Sequence, residues 1–99
     1  MSITPEILKQ FKDRMRLEDH EDDNLKRILS ASHKRLLKDC GAYDIEKDED
    51  FKELVFERAR YAYNDALEFF SQNFLTEINS LAISKALEGI EGDTDASKI

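Results

Sequence analysis

The residues of this 99-residue chain most able to do chemistry are two histidines, one cysteine and a surplus of carboxylates. Asp19, Glu21 and Asp23 alternate as the first ligands of a calcium loop do. Such a loop also needs a glycine at its sixth position, for the sharp turn, and a bidentate acid at its twelfth. Asn24 and Ser30 stand there instead, so the run reads as a solvated helix start. His20 and His33 form no HExxH pattern, and Cys40 lies at no metal spacing from either. His33 falls at the edge of an apolar helix face, the place of a boundary histidine. Cys40 lacks the glycine-flanked or strand-to-helix setting of a nucleophile and reads as a small core residue. A di-iron bundle needs Glu-x-x-His, but Leu17 and Ser30 stand three residues before the two histidines. No Walker loop or GxGxxG occurs, and three scattered glycines cannot build a phosphate cradle. The expectation is a binding protein, not an enzyme, with no catalytic residue, metal or cofactor.

Composition narrows the class further. Twenty-two acids against fifteen bases give a net charge of −7, which repels phosphate backbones, so no sequence-specific nucleic-acid binding is expected. The acidic surface either keeps the chain soluble or faces a basic partner. No apolar run approaches the roughly 18 residues of a membrane span. Met1 to Glu6 lack the basic and apolar regions of a signal peptide, so secretion is not expected. A single cysteine forms no intrachain disulfide, which fits folding in a reducing cytoplasm. An apolar share of 40% makes only a thin core. A domain of this size often completes its burial against copies of itself or a partner.

The elements that position these residues read as helices. Thr4-Pro5 is an N-cap with proline at the first helical position, and Ile7, Leu8, Phe11 and Met15 follow at helical spacing. A second helix starts in the acidic cluster Asp19 to Asp23, whose carboxylates complement the positive end of the helix dipole. Its apolar face is Leu25, Ile28, Leu29, Ser32, Leu36 and Cys40. The opposite face carries Arg27, Lys34 and Lys38, flanked by Lys26 and Arg35. Gly41 stands where a left-handed cap is expected. Residues 41–48 form a linker, and a third helix runs from Asp48 or Asp50 to about Gln72. A last helix, about Leu75 to Leu87, has a blurred pattern, with Leu75, Ile78, Leu81 and Ala82 on one side and Ile83 and Leu87 on another. Gly89 and Gly92 end it, and the polar stretch 91–99 reads as a tail without structure. The fold expected is all-α: a single domain over residues 1–90, a small bundle of about four helices, two long and two short.

The third helix carries more apolar surface than one small core requires. Phe51, Leu54, Val55, Ala59, Ala62, Ala66 and Phe69 share a face. A second stripe, Phe56, Tyr63, Leu67, Phe70 and Phe74, adjoins it. This stripe is either ordinary core or a contact with another chain, for which large aromatics are good anchors. Arg58 falls inside the apolar arc. It either snorkels to the surface or finds a carboxylate on another helix or subunit.

The order of the pieces resembles the phage head–tail connector, or adaptor, family of long-tailed phages and prophages. The resemblance spans about residues 3–75. It rests on the opening Ile3-Thr4-Pro5-Glu6-Ile7-Leu8-Lys9, on Leu17-Glu18-Asp19 and the acidic run through Asp23, on Leu25, Ile28 and Leu29 in a helix closing at Asp39-Cys40-Gly41, and on Glu57 to Asp65, rich in alanine and tyrosine. The segment from Phe74 to Leu87 is longer and more apolar than the brief C-terminal helix of the family pattern. The resemblance implies a helical bundle, made in the host cytoplasm, that forms a homo-oligomeric ring beneath the portal at the head–tail interface of the virion. Such a ring extends the DNA channel and offers a platform to the next head-completion or tail-joining protein. Phe56, Tyr63, Leu67, Phe70 and Arg58 are then the candidates for contacts between subunits. The rival reading is a small acidic regulatory module that masks a basic partner protein.

Overall fold

A computed structural model describes the backbone of residues 3–17 and 21–97, and their side chains as far as Glu88. Five α-helices follow one another: α1 (Pro5–Met15), α2 (Asp22–Cys40), α3 (Glu49–Tyr63), α4 (Phe70–Asn73) and α5 (Leu75–Ser97). A 3-10 turn, Leu67–Phe69, precedes α4. No strand occurs among the described residues, so the chain is all-α, with two small elements between α3 and α5 that the sequence pattern merges into its long third helix.

Local chemistry sets the first two helices. The Thr4 hydroxyl accepts from the Ile7 amide at 3.2 Å, and Pro5 occupies the first turn, where its missing N–H costs nothing. α1 ends in a Schellman motif with Arg16 left-handed (φ 60°): Leu17 N–H reaches the Lys12 carbonyl and Arg16 N–H the Asp13 carbonyl. Lys12, itself nearly buried, donates to Asp22 at 2.7 Å and so ties the end of α1 to the start of α2. Glu18, Asp19 and His20 lie outside the described residues. α2 closes at Cys40, as the glycine signal indicates. Gly41 has positive φ (111°) but extended ψ, so it departs from the left-handed cap expected there. A Cβ at Gly41 would meet the Lys85 stem of α5 at 2.6 Å, so glycine serves both the backbone and a close approach.

The third helix stops nine residues early, at Tyr63 instead of Gln72. Asp65 turns left-handed (φ 57°), Ala66 N–H bonds the Tyr61 carbonyl at 2.8 Å and Asp65 N–H the Ala62 carbonyl at 3.1 Å. This is again a Schellman motif, built without glycine and hence invisible to a search for glycine punctuation. The chain then folds back, and Phe70 and Phe74 stack at 5.0 Å with the Tyr61 ring edge-on at 5.7 Å from each. α5 continues through Gly89 and Gly92 to Ser97, so the tail expected to lack structure is helical over 91–97. A glycine inside a helix costs roughly 1 kcal/mol relative to alanine, and it ends the helix only when the backbone leaves the right-handed region. Lys98 and Ile99 lie outside the described residues.

The core lies where α1, α2, α3 and α5 meet. Phe11, Leu25, Leu29, Leu36, Phe51 and Val55 are fully buried, with Ile7, Leu54, Phe56 and Phe70 nearly so. Each such side chain contributes about 1.5–3 kcal/mol by leaving water. The helix-wheel face of α3 is therefore confirmed for Phe51, Leu54, Val55 and Ala59, while Phe69 at its far end is exposed. α5 is clamped by Tyr43 of the linker, which stacks on Phe51 and donates to the Leu81 carbonyl at 2.7 Å. The Lys85 ammonium sits 4.3 Å from the centre of the same tyrosine ring.

Candidate interaction surface

Two of the groups with chemical potential, His33 and Cys40, are absorbed into the core. His33 is 3% exposed and meets the Phe51 ring edge-on at 5.9 Å, and burial lowers its pKa by penalising the charged form. Cys40 is buried, its thiol donates to the Ile78 carbonyl, and burial together with the Asp39 charge pushes its pKa up to about 11. That is the environment of an inert structural thiol. Among the described residues no three of His, Cys, Asp and Glu are placed to hold a metal ion, and no helix is long and apolar enough to cross a membrane.

The five residues named as subunit contacts do not form one patch. Phe56 is 3% exposed and packs on Phe11 of α1, with the Arg14 guanidinium over its ring. Phe70 is 2% exposed, inside the aromatic cluster with Tyr61 and Phe74. Both belong to this chain's own core, which corrects their assignment to a surface. The reason is that α1, a separate element, covers the stripe over its first turns, and the break at Tyr63 turns the remainder inward. Tyr63 is half-buried and its hydroxyl donates to Glu21 at 2.9 Å, a bond that raises the phenol's pKa. Arg58, Leu67 and Phe70 do come together, lining a cleft of about 150 Å³ with Arg35, Asp39 and Ser71. Arg58 finds a hydroxyl in place of a carboxylate: its Nη1 donates to the buried Ser32 Oγ at 3.1 Å. Burial, then the nearby Arg35 charge, lowers its pKa.

Three features lie on the outside. The first is a groove of about 620 Å³ between α3 and α5, floored by Leu54, Phe74 and Leu81 and rimmed by Asp50, Glu53, Glu57 and Glu77. Arg14 reaches its edge and binds Glu53 and Glu57 at 2.9 and 2.7 Å. Burial opposes the Glu57 charge, but hydrogen bonds from Arg60 and Arg14 outweigh it and hold this carboxyl below the usual range. The second is the outer face of α5, where Leu75, Ile83 and Leu87 are 55%, 58% and 49% exposed. This resolves the blurred pattern of that helix: Ile78 and Leu81 pack against the core, while Leu75, Ile83 and Leu87 stand exposed. The third is the basic face of α2, with Lys26, Arg27, Lys34, Arg35 and Lys38 all exposed. Sequence patterning shows this last face directly. The groove escaped it, because Glu77 and Leu81 of α5 join Asp50, Glu53 and Glu57 of α3 only once the two helices have packed together.

Comparison with protein-family models, with curated proteins and with solved structures gives no match.

Proposed function

We propose that this protein is a structural assembly subunit of the head–tail connector kind, acting by binding alone. In this reading copies form a ring beneath the portal of a filled phage capsid, extend the DNA channel and offer a platform to the protein that joins the tail. One observation carries it. The outer face of α5 leaves Leu75, Ile83 and Leu87 about half exposed or more along a helix that has already given its other side to the core. A line of large apolar side chains on a domain this small is the surface a neighbouring subunit or stacked protein covers. The net charge of −7 suits a channel wall along which DNA slides without adhering. The acidic groove favours a second reading, a module that masks a basic partner protein.

Light scattering on the protein alone, and mixed with candidate portal rings, tests the two. A closed oligomer or co-elution with a portal supports the connector. A monomer that passes every portal by and captures a basic protein refutes it in favour of the masking module.

A further inference from the structure

We propose that the acidic groove between α3 and α5 of one copy receives the basic face of α2 from a second copy, in a head-to-tail contact. The inference rests on the connector reading and names the surfaces by which its subunits would meet.

The charge of this chain is segregated along the sequence. Residues 24–38 hold five bases, Lys26, Arg27, Lys34, Arg35 and Lys38, and no acid. The groove rim holds four acids, Asp50, Glu53, Glu57 and Glu77. Folding leaves much of both sets uncompensated. Among the described residues Lys26, Lys34 and Lys38 make no ion pair, and neither do Asp50 and Glu77. Only Arg14 and Arg60 offset part of the rim.

The two surfaces cannot meet within one molecule. Arg27, Lys34 and Lys38 lie opposite the buried face of α2, Leu25, Leu29, Ser32 and Leu36, with Lys26 and Arg35 on the flanks, and that buried face packs on α3 and α5. Arg27, Lys34 and Lys38 therefore face away from the helices whose acids would pair with them, and only another molecule can bring these charges together. The basic row is long enough to span the acidic one. Asp50 to Glu57 spans about 10 Å of α3 and Arg27 to Lys38 about 16 Å of α2, at 1.5 Å per residue. Lysine suits this groove in both its parts. Its aliphatic stem can lie over Leu54, Phe74 and Leu81 while the ammonium reaches the rim. Because the contact joins two different surfaces on different sides of the molecule, it propagates, and it gives a ring where the rotation closes. It also lets a chain with a charge of −7 associate with itself, since each junction sets bases against acids.

The test uses reversal of charge on each surface. One variant carries Lys26→Glu, Lys34→Glu and Lys38→Glu, and another carries Asp50→Lys and Glu77→Lys. All five positions are exposed, and circular dichroism checks that the helices persist. Light-scattering mass is measured at low salt and at about 1 M salt, where screening acts within about 3 Å, without and with a portal ring. Wild type should assemble at low salt and fall toward the 11.5 kDa of one chain at high salt. Each variant alone should stay at that mass, and mixing the two should restore assembly, since every basic surface then has an acidic one to meet. Oligomers that persist in high salt and in both variants overturn this contact and leave the connector reading standing. A wild type that stays monomeric throughout, with portal as without, overturns both.

Discussion

Replacing Asp65 by glycine and, separately, by alanine tests the break that ends α3. Asp65 is exposed, has φ 57° and engages no side-chain partner among the described residues, so the two substitutions act through the backbone. A left-handed residue other than glycine costs about 1–2 kcal/mol, and Asp and Asn occupy that region more readily than alanine does. Asp65→Gly should then stabilise the protein by about 0.5–1 kcal/mol, part of the relief being lost to the greater freedom of glycine when unfolded. Asp65→Ala should destabilise it by a similar amount, about 0.5–1 kcal/mol. Were α3 to continue unbroken to Gln72, position 65 would be a helix interior, where alanine is the best residue and glycine about 1 kcal/mol worse, with aspartate between them. The order of stability reverses between the two structures: glycine, aspartate, alanine for the break, and alanine, aspartate, glycine for a continuous helix. For a domain of this length 1 kcal/mol moves Tm by about 4–8 °C. Thermal and urea unfolding followed by far-ultraviolet circular dichroism resolve that. An alanine variant more stable than wild type, with the glycine variant less stable, would refute the Schellman turn.

Two further outcomes follow from buried groups. Burial lowers the His33 pKa below its ordinary 6.5, so the folded state holds the neutral ring while the unfolded chain protonates at its usual pH. Its contribution is therefore complete above about pH 6.5 and is lost as pH falls, with a slope of at most about 1.4 kcal/mol per pH unit. Urea unfolding between about pH 7.5 and 5.5 should show that slope in wild type and a flatter one in His33→Gln; equal slopes would refute the assignment. Cys40, with its thiol pushed to about 11 from 9.0, has about one hundredth of the thiolate of an unperturbed cysteine at neutral pH. Alkylation of the folded protein should be slower than in denaturant by at least about 100-fold, and equal rates would mean that the thiol is not buried.

Much of the fold was written in local signals. The Thr4-Pro5 start, the apolar face of α2 from Leu25 to Cys40, the stop at Gly41 and the Phe51–Ala59 face of α3 are each fixed by residues within a few turns of one another, and each stands in the structure. So does the basic face of α2, since i, i+4 and i+7 spacing alone places charges side by side. The end of α3 was not legible, because its left-handed residue is an aspartate and the apolar spacing continues past it. Nor was the end of α5, where isolated glycines remain helical.

The candidate surface divides along the same line. Sequence determined that Phe56 and Phe70 are large, apolar and helically spaced, but burial is a property of what packs on them. Only the tertiary structure decided that α1 covers Phe56 and that the fold-back after Tyr63 buries Phe70. It likewise decided that Phe69, Leu75, Ile83 and Leu87 are left exposed, and that Asp50, Glu53, Glu57 and Glu77 share one rim. The physical reason is range. Capping and amphipathic spacing act between neighbours along the chain, whereas coverage of a face depends on elements tens of residues away that meet it only once the chain has closed.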